Sequence, residues 1–92
     1  MNSTDTIHIP LTLFSQIIDD EILLFDTQSK NYFALEGMGR IMWEYISEHH
    51  SCEGLAQHIL EMVEVDVLRL EEDIYVFIET LKTNKLITIG EL

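Results

Sequence analysis

Apolar positions change rhythm along the chain. Up to residue 35 they come in short β-branched or aromatic runs, and from residue 41 to residue 81 they recur at steps of three and four. The first rhythm predicts strands and the second predicts helices. In "IHIPLTLFSQIID" Pro10 cannot donate to a ladder, so its neighbours belong to an edge or to a strand start. An extended N-terminal segment over 1–11 and a strand at about 13–18 follow. "DDEILLFD" reads as the next strand, with Ile22 and Leu24 on one face and Leu23 and Phe25 on the other. The polar stretch from Asp26 to Lys30 is a turn. "NYFALE" returns from it with Tyr32 and Ala34 on one face and Phe33 and Leu35 on the other, completing an antiparallel hairpin.

Gly37 and Gly39 interrupt the strand period and permit a tight turn into a helix. There Ile41, Met42, Tyr45 and Ile46 recur at helical spacing, and Trp43 widens the apolar face. Ser51 is the expected N-cap of a second helix, "CEGLAQHILEMV", whose stripe is Leu55, Ile59, Leu60 and Val63. Asp66 is placed to cap a third helix, "VLRLEEDIYVFIETLKTNK". Val67, Leu70, Ile74, Phe77, Ile78 and Leu81 share one arc of it. Its acids Glu71, Glu72 and Asp73 come early and Lys82 and Lys85 late, as the helix macrodipole favours. "LITI" at 86–89 is expected to add a short strand or to cover the core. Strands followed by helices make an α+β domain, here a three-stranded antiparallel sheet with three helices in a winged-helix-like build. One sheet face meets the helices; the other needs a lid, a partner or the N-terminal segment.

Length and composition narrow this further. The 92 residues make one domain, spanning 1–92, and 47% apolar content argues against wholesale disorder. No apolar run reaches the roughly 18 residues of a membrane helix, no secretory pattern opens the chain, and Cys52 has no internal disulfide partner, so a cytoplasmic protein is expected. Seventeen acids against five bases give a net charge of −12. That charge repels nucleic acid and anionic membranes, and it suits a basic peptide or protein patch.

Candidate chemistry is sparse. His49, His50, Cys52, His58 and Glu61 lie close in sequence but lack the spacing of a zinc site. Cys52, expected at a helix N-terminus, has no oxyanion motif to accompany it as a nucleophile. "EGMG" has neither the lysine nor the spacing of a phosphate loop. The helix that would read DNA offers Arg69 against Glu71, Glu72 and Asp73. No metal, cofactor or catalytic group is therefore assigned. What remains is peptide binding: a small sheet with an exposed edge can accept an added strand. The strand from Asn31 to Leu35 would supply the pairing edge, with Tyr32, Phe33 and Ala34 between them. On the third helix Arg69, Asp73, Val76 and Thr80 flank the core arc on one side, with Phe77 at their border, and Tyr75 and Glu71 flank the other. Val76, Phe77 and Thr80 would form the floor, and Glu72 and Asp73 would attract cations of the peptide.

The ordered set Asp26, Tyr32 with Phe33, Leu35, Gly39, Trp43, Ser51, Asp73 with Ile74, Leu81, and Leu86 with Ile87 resembles the PqqD-like family of stand-alone recognition elements for ribosomally made, modified peptides. The resemblance runs over about residues 12–88. Two positions depart from the family pattern: Glu36 stands where Asn is usual, and Lys85 where Gly is. The resemblance implies a non-catalytic adaptor that binds the leader segment of a precursor peptide against its third sheet strand and third helix. It implies lasso-peptide biosynthesis, with a leader-cleaving cysteine protease and an ATP-dependent macrocyclase as partners; a monomer or weak homodimer is expected. A radical-SAM pathway and a small acidic regulatory module are the alternatives.

Overall fold

A computed structural model describes residues 4–90. The chain order is β1 (Ile7–His8), β2 (Leu13–Ile18), β3 (Glu21–Asp26), β4 (Tyr32–Leu35), α1 (Gly37–His49), α2 (Leu55–Leu60), α3 (Val67–Thr83) and β5 (Thr88–Ile89). β2, β3 and β4 form an antiparallel sheet in sequence order, with Phe14, Phe25 and Tyr32 in one cross-strand row and Ile17, Ile22 and Leu35 in another. The α+β winged-helix-like architecture is the one the hydrophobic rhythm predicts. Ile22 and Leu24 are buried, whereas Leu23 and Phe25 on the outer face are half-buried. The core joins them to Met42, Trp43 and Ile46 of α1, to Leu55 and Ile59 of α2, and to Leu70, Ile74, Ile78 and Leu81 of α3.

The N-terminal segment does not cover the outer face of the sheet. β1 pairs with β5, Ile7 opposite Ile89 and His8 opposite Thr88. Ile7 N–H also donates to His50 O at 2.7 Å, at the left-handed C-terminus of α1 (φ 56°). Gly90 N–H donates to Thr6 O at 3.1 Å, so the two ends of the chain clasp one another beside the helices. Ile7, Leu86 and Ile87 are buried there; "LITI" thus supplies both a strand and core cover. The part of the N-terminal expectation that falls on residues 1–3 lies outside the described residues.

α2 is shorter than its sequence pattern suggests. Ser51 does not cap it: its hydroxyl accepts from Glu53 N–H at 3.3 Å in the preceding turn, and the N-cap is Gly54 at φ 82°. Tyr45 explains the delay. Its hydroxyl donates to Glu53 O at 2.6 Å and lies 2.7 Å from where a Cβ on residue 54 would stand, so only glycine lets the chain pass. Cys52 is therefore buried ahead of the helix rather than placed at its N-terminus, and burial pushes its thiol pKa up. Val63, expected in the stripe of α2, is exposed because α2 stops at Leu60, and Val67, expected in the arc of α3, is exposed at the first residue of that helix. Asp66 caps α3 as expected, its carboxylate accepting from Leu68 N–H at 3.3 Å. At the far end Lys85 adopts φ 61° while Leu86 N–H reaches back to Leu81 O at 2.9 Å, the hydrogen bond of a Schellman closure.

Candidate functional site

β4 is the last strand of its sheet, and the register decides which of its main-chain groups are unused. Asp26 N–H donates to Asn31 O at 3.1 Å, continuing the register in which Leu24 faces Phe33 and Ile22 faces Leu35. Antiparallel pairs alternate, so Phe33 and Leu35 turn their N–H and C=O groups toward β3. Tyr32 and Ala34 turn theirs outward. Among the described residues no other strand or loop hydrogen-bonds to these outward groups.

Side chains alternate on the same strand. Phe33 and Leu35 are half-buried against the core, whereas Tyr32 is 66% exposed and stacks on Phe25 with ring centroids 4.8 Å apart. α3 runs beside this edge in the opposite sense. Near the end of β4, Leu35 and Phe77 both approach Gly39: a Cβ added there would lie 3.8 Å from the Leu35 side chain and 3.6 Å from the Phe77 ring. Near its start, Asn31 and Ser29 share an open hollow of about 560 Å³ with Thr83, Asn84 and Lys85. These two marks fix the flank of α3 that borders the strand. Going round the helix from Phe77 it carries Asn84, Asp73, Thr80, Arg69 and Val76 in turn. Glu71 and Tyr75 lie on the opposite flank, in a hollow of about 660 Å³ that also includes Ala56 and Leu60 of α2.

Within that flank, Val76 is 54% exposed with no polar function of its own. Thr80 donates its hydroxyl to Val76 O at 2.8 Å, and Asn84 Nδ2 donates to Thr80 O at 2.8 Å. Polar groups on the flank are thus partly satisfied within the helix, leaving an apolar strip between them. Arg69 Nε lies 3.9 Å from Asp73 Oδ2, both side chains mostly exposed, a surface pair of small energetic weight. Arg40 is held by Glu44 at 2.6 Å. At the Leu35 end of the strand Glu36 caps α1 with no side-chain hydrogen bond, and it shares a hydrogen bond with Glu21. That contact and its negative charge raise the Glu21 pKa.

The sequence-selected residues Asn31, Tyr32, Phe33, Ala34, Leu35, Asp73, Val76, Phe77 and Thr80 lie along one strand and one helix flank that face each other across this edge, and Arg69 continues the flank. Glu72 falls farther round the helix, on a shallow surface that it shares with Asp66, Leu68, Arg69 and Asp73. Gly39 and Asn84 complete the walls. The sequence places Gly39 in the turn and in the family pattern; its bare Cα near Leu35 and Phe77 depends on the approach of distant segments. Asn84 was legible in principle, since it stands four residues after Thr80 and seven after Phe77.

An unpaired strand edge beside an apolar helix flank in a winged-helix-like domain is an arrangement that can accept an added strand. The chain belongs to the PqqD family, whose model, coenzyme PQQ synthesis protein D, matches residues 21–87. A solved structure described as "TbiB1 in Complex with the TbiA(beta) Leader Peptide" is 29% identical, with a TM-score of 0.81 over 87% of this chain and 93% of that one. Another, described as "Lasso peptide synthetase B1 complexed with the leader peptide", shares the fold at 22% identity, with a TM-score of 0.82 over 90% of this chain and 98% of that one. No curated protein matches the sequence.

Proposed function

We propose that this protein is a non-catalytic adaptor that binds the leader segment of a ribosomally made precursor peptide and presents the remainder to modifying enzymes in lasso-peptide biosynthesis. The observation that carries the reading is the outward-turned main chain of Tyr32 and Ala34 beside the apolar flank of α3. Membership of the PqqD family and likeness to two domains described in complex with leader peptides support it. The leader adds as a strand to β4. Its backbone pairs with Tyr32 and Ala34, and an apolar side chain sits against Val76, Phe77 and the carbon atoms of Thr80. Asp73, Glu36 and Glu72 draw in leader cations. A leader-cleaving cysteine protease and an ATP-dependent macrocyclase are the enzymes served.

Calorimetric titration with the leader peptide of the precursor encoded beside this protein tests the reading. Saturable one-to-one binding is expected at tens of micromolar protein or below. Val76→Asp places a charge in the apolar strip and should weaken binding at least ~10-fold, or ~1.4 kcal/mol, with an unchanged circular dichroism spectrum. Absence of binding by the wild type, or full binding by the folded variant, contradicts it.

A further inference from the structure

The sheet has a second open edge, at β2. Thr27 N–H donates to Thr12 O at 3.0 Å, so the alternation places Phe14–Phe25, Gln16–Leu23 and Ile18–Glu21 as the hydrogen-bonded pairs. Leu13, Ser15 and Ile17 therefore turn their main chain outward. Pro10 O accepts from Leu13 N–H at 3.1 Å, while among the described residues no main-chain partner meets the outward groups of Ser15 and Ile17.

Natural edge strands are protected by charge, proline, a bulge or shortness. β2 has six residues, and Pro10 to Ile18 contains no charged side chain, in a chain where charged residues are 24%. α1 packs on β3 and β4; on the inner face of β2 Leu13 is partly buried against the core, but Ile17 is left 63% exposed. On the outer face Phe14 is 61% and Ile18 45% exposed. Apolar groups thus flank both sides of an unpaired ribbon.

We infer that β2 is the pairing edge for a second copy of this chain, joined antiparallel about Gln16. The edge is complementary to itself. With Gln16 facing Gln16 of the second copy, Ser15 and Ile17 of each copy become reciprocal hydrogen-bonded pairs. Phe14 falls opposite Ile18 on the outer face, and the amides of the two Gln16 side chains meet between them. The row Tyr32, Phe25, Phe14 then continues into the second copy as part of a six-stranded sheet.

The acidic turn does not oppose this arrangement. Asp19 of one copy faces Leu13 of the other, so the two turns lie at opposite ends of the seam, about 20 Å apart at the strand rise per residue. That exceeds two Debye lengths at physiological ionic strength. An uncharged strand also gives a basic heterologous partner no charge to recognise. Both β4 edges remain at the outer ends of the joined sheet, so this pairing and the proposed peptide binding are independent of one another.

Sedimentation velocity of the purified chain from ~5 µM to ~1 mM tests the inference. A concentration-dependent shift from monomer to dimer is expected. It should tighten between about 0.15 M and about 0.5 M NaCl as the like net charges are screened. Ile17→Lys and Ser15→Pro should each stay monomeric throughout, with circular dichroism melts near that of the wild type and leader-peptide titration unchanged. Amide exchange in the dimer should protect Ser15 and Ile17 and leave Tyr32 and Ala34 as in the monomer. A wild type that remains monomeric at both salt concentrations, a dimer that survives Ile17→Lys, or protection at Tyr32 and Ala34 instead overturns the inference. A monomeric chain whose β2 is held only by a different protein is one form of the first of these outcomes.

Discussion

Trp43, Asp26 and Lys85 show three ways in which one residue sets the shape of the groove without touching a peptide. Trp43 is buried between the sheet and the helices, and Trp43→Ala removes ~3–5 kcal/mol, a large share of what a domain this small possesses. Thermal melting should show loss of the cooperative transition or a drop of many degrees. Asp26 holds the turn before β4: its carboxylate accepts from Gln28 N–H at 3.1 Å, and that bond, with the nearby Ser29 hydroxyl, lowers its pKa. A carboxylate lowered by folding stabilises the fold above its unfolded pKa and loses that contribution as pH falls through the folded value. Asp26→Asn should therefore melt below the wild type at neutral pH, with the gap closing as pH falls through and below the ordinary aspartate range. Lys85 sits at a left-handed position that glycine adopts without strain, so Lys85→Gly should stabilise by about 0.5–1 kcal/mol in urea unfolding. That position is one of the two departures from the family pattern noted in the sequence, and the backbone angle supplies its physical meaning.

At the scale of elements, β4 and α3 were legible because each carries a clean period: Tyr32 and Ala34 against Phe33 and Leu35, and the arc from Leu70 to Leu81 with its Asp66 cap. α2 was not, since Ser51 and Glu53 look like the start of a helix while the true start depends on Tyr45 reaching back from α1. The β1–β5 clasp joins residues about as far apart in sequence as the chain allows, and no local pattern announces it. The groove itself was half legible. Periodicity named both of its walls, but the approach of Phe77 and Leu35 to Gly39 and the hollow that Asn31 shares with Asn84 say which flank of α3 meets the strand. The outward turn of the Ala34 N–H makes an element-scale prediction. Ala34→Pro removes a donor that the β3–β4 ladder does not use, so melting should change little while leader binding falls at least ~10-fold by calorimetry.

Across the whole molecule, charge and edges act together. The net charge of −12 keeps phosphate-rich surfaces away, and the described residues contain no helix long and apolar enough to cross a membrane. On the proposed function, acidic groups near the groove would speed encounter with a cationic leader, and the apolar strip and the strand pairing would hold it. Raising NaCl from about 0.05 M to about 0.5 M should slow association in stopped-flow fluorescence more than it hastens dissociation, with affinity falling by less than ~10-fold. The central claim is that the outward main chain of β4 receives the incoming strand. Residue-resolved amide hydrogen exchange, with and without the leader peptide, reads it most directly. The N–H groups of Tyr32 and Ala34 should exchange rapidly in the free protein and become strongly protected in the complex. A bound complex in which those two amides exchange as before would contradict the account.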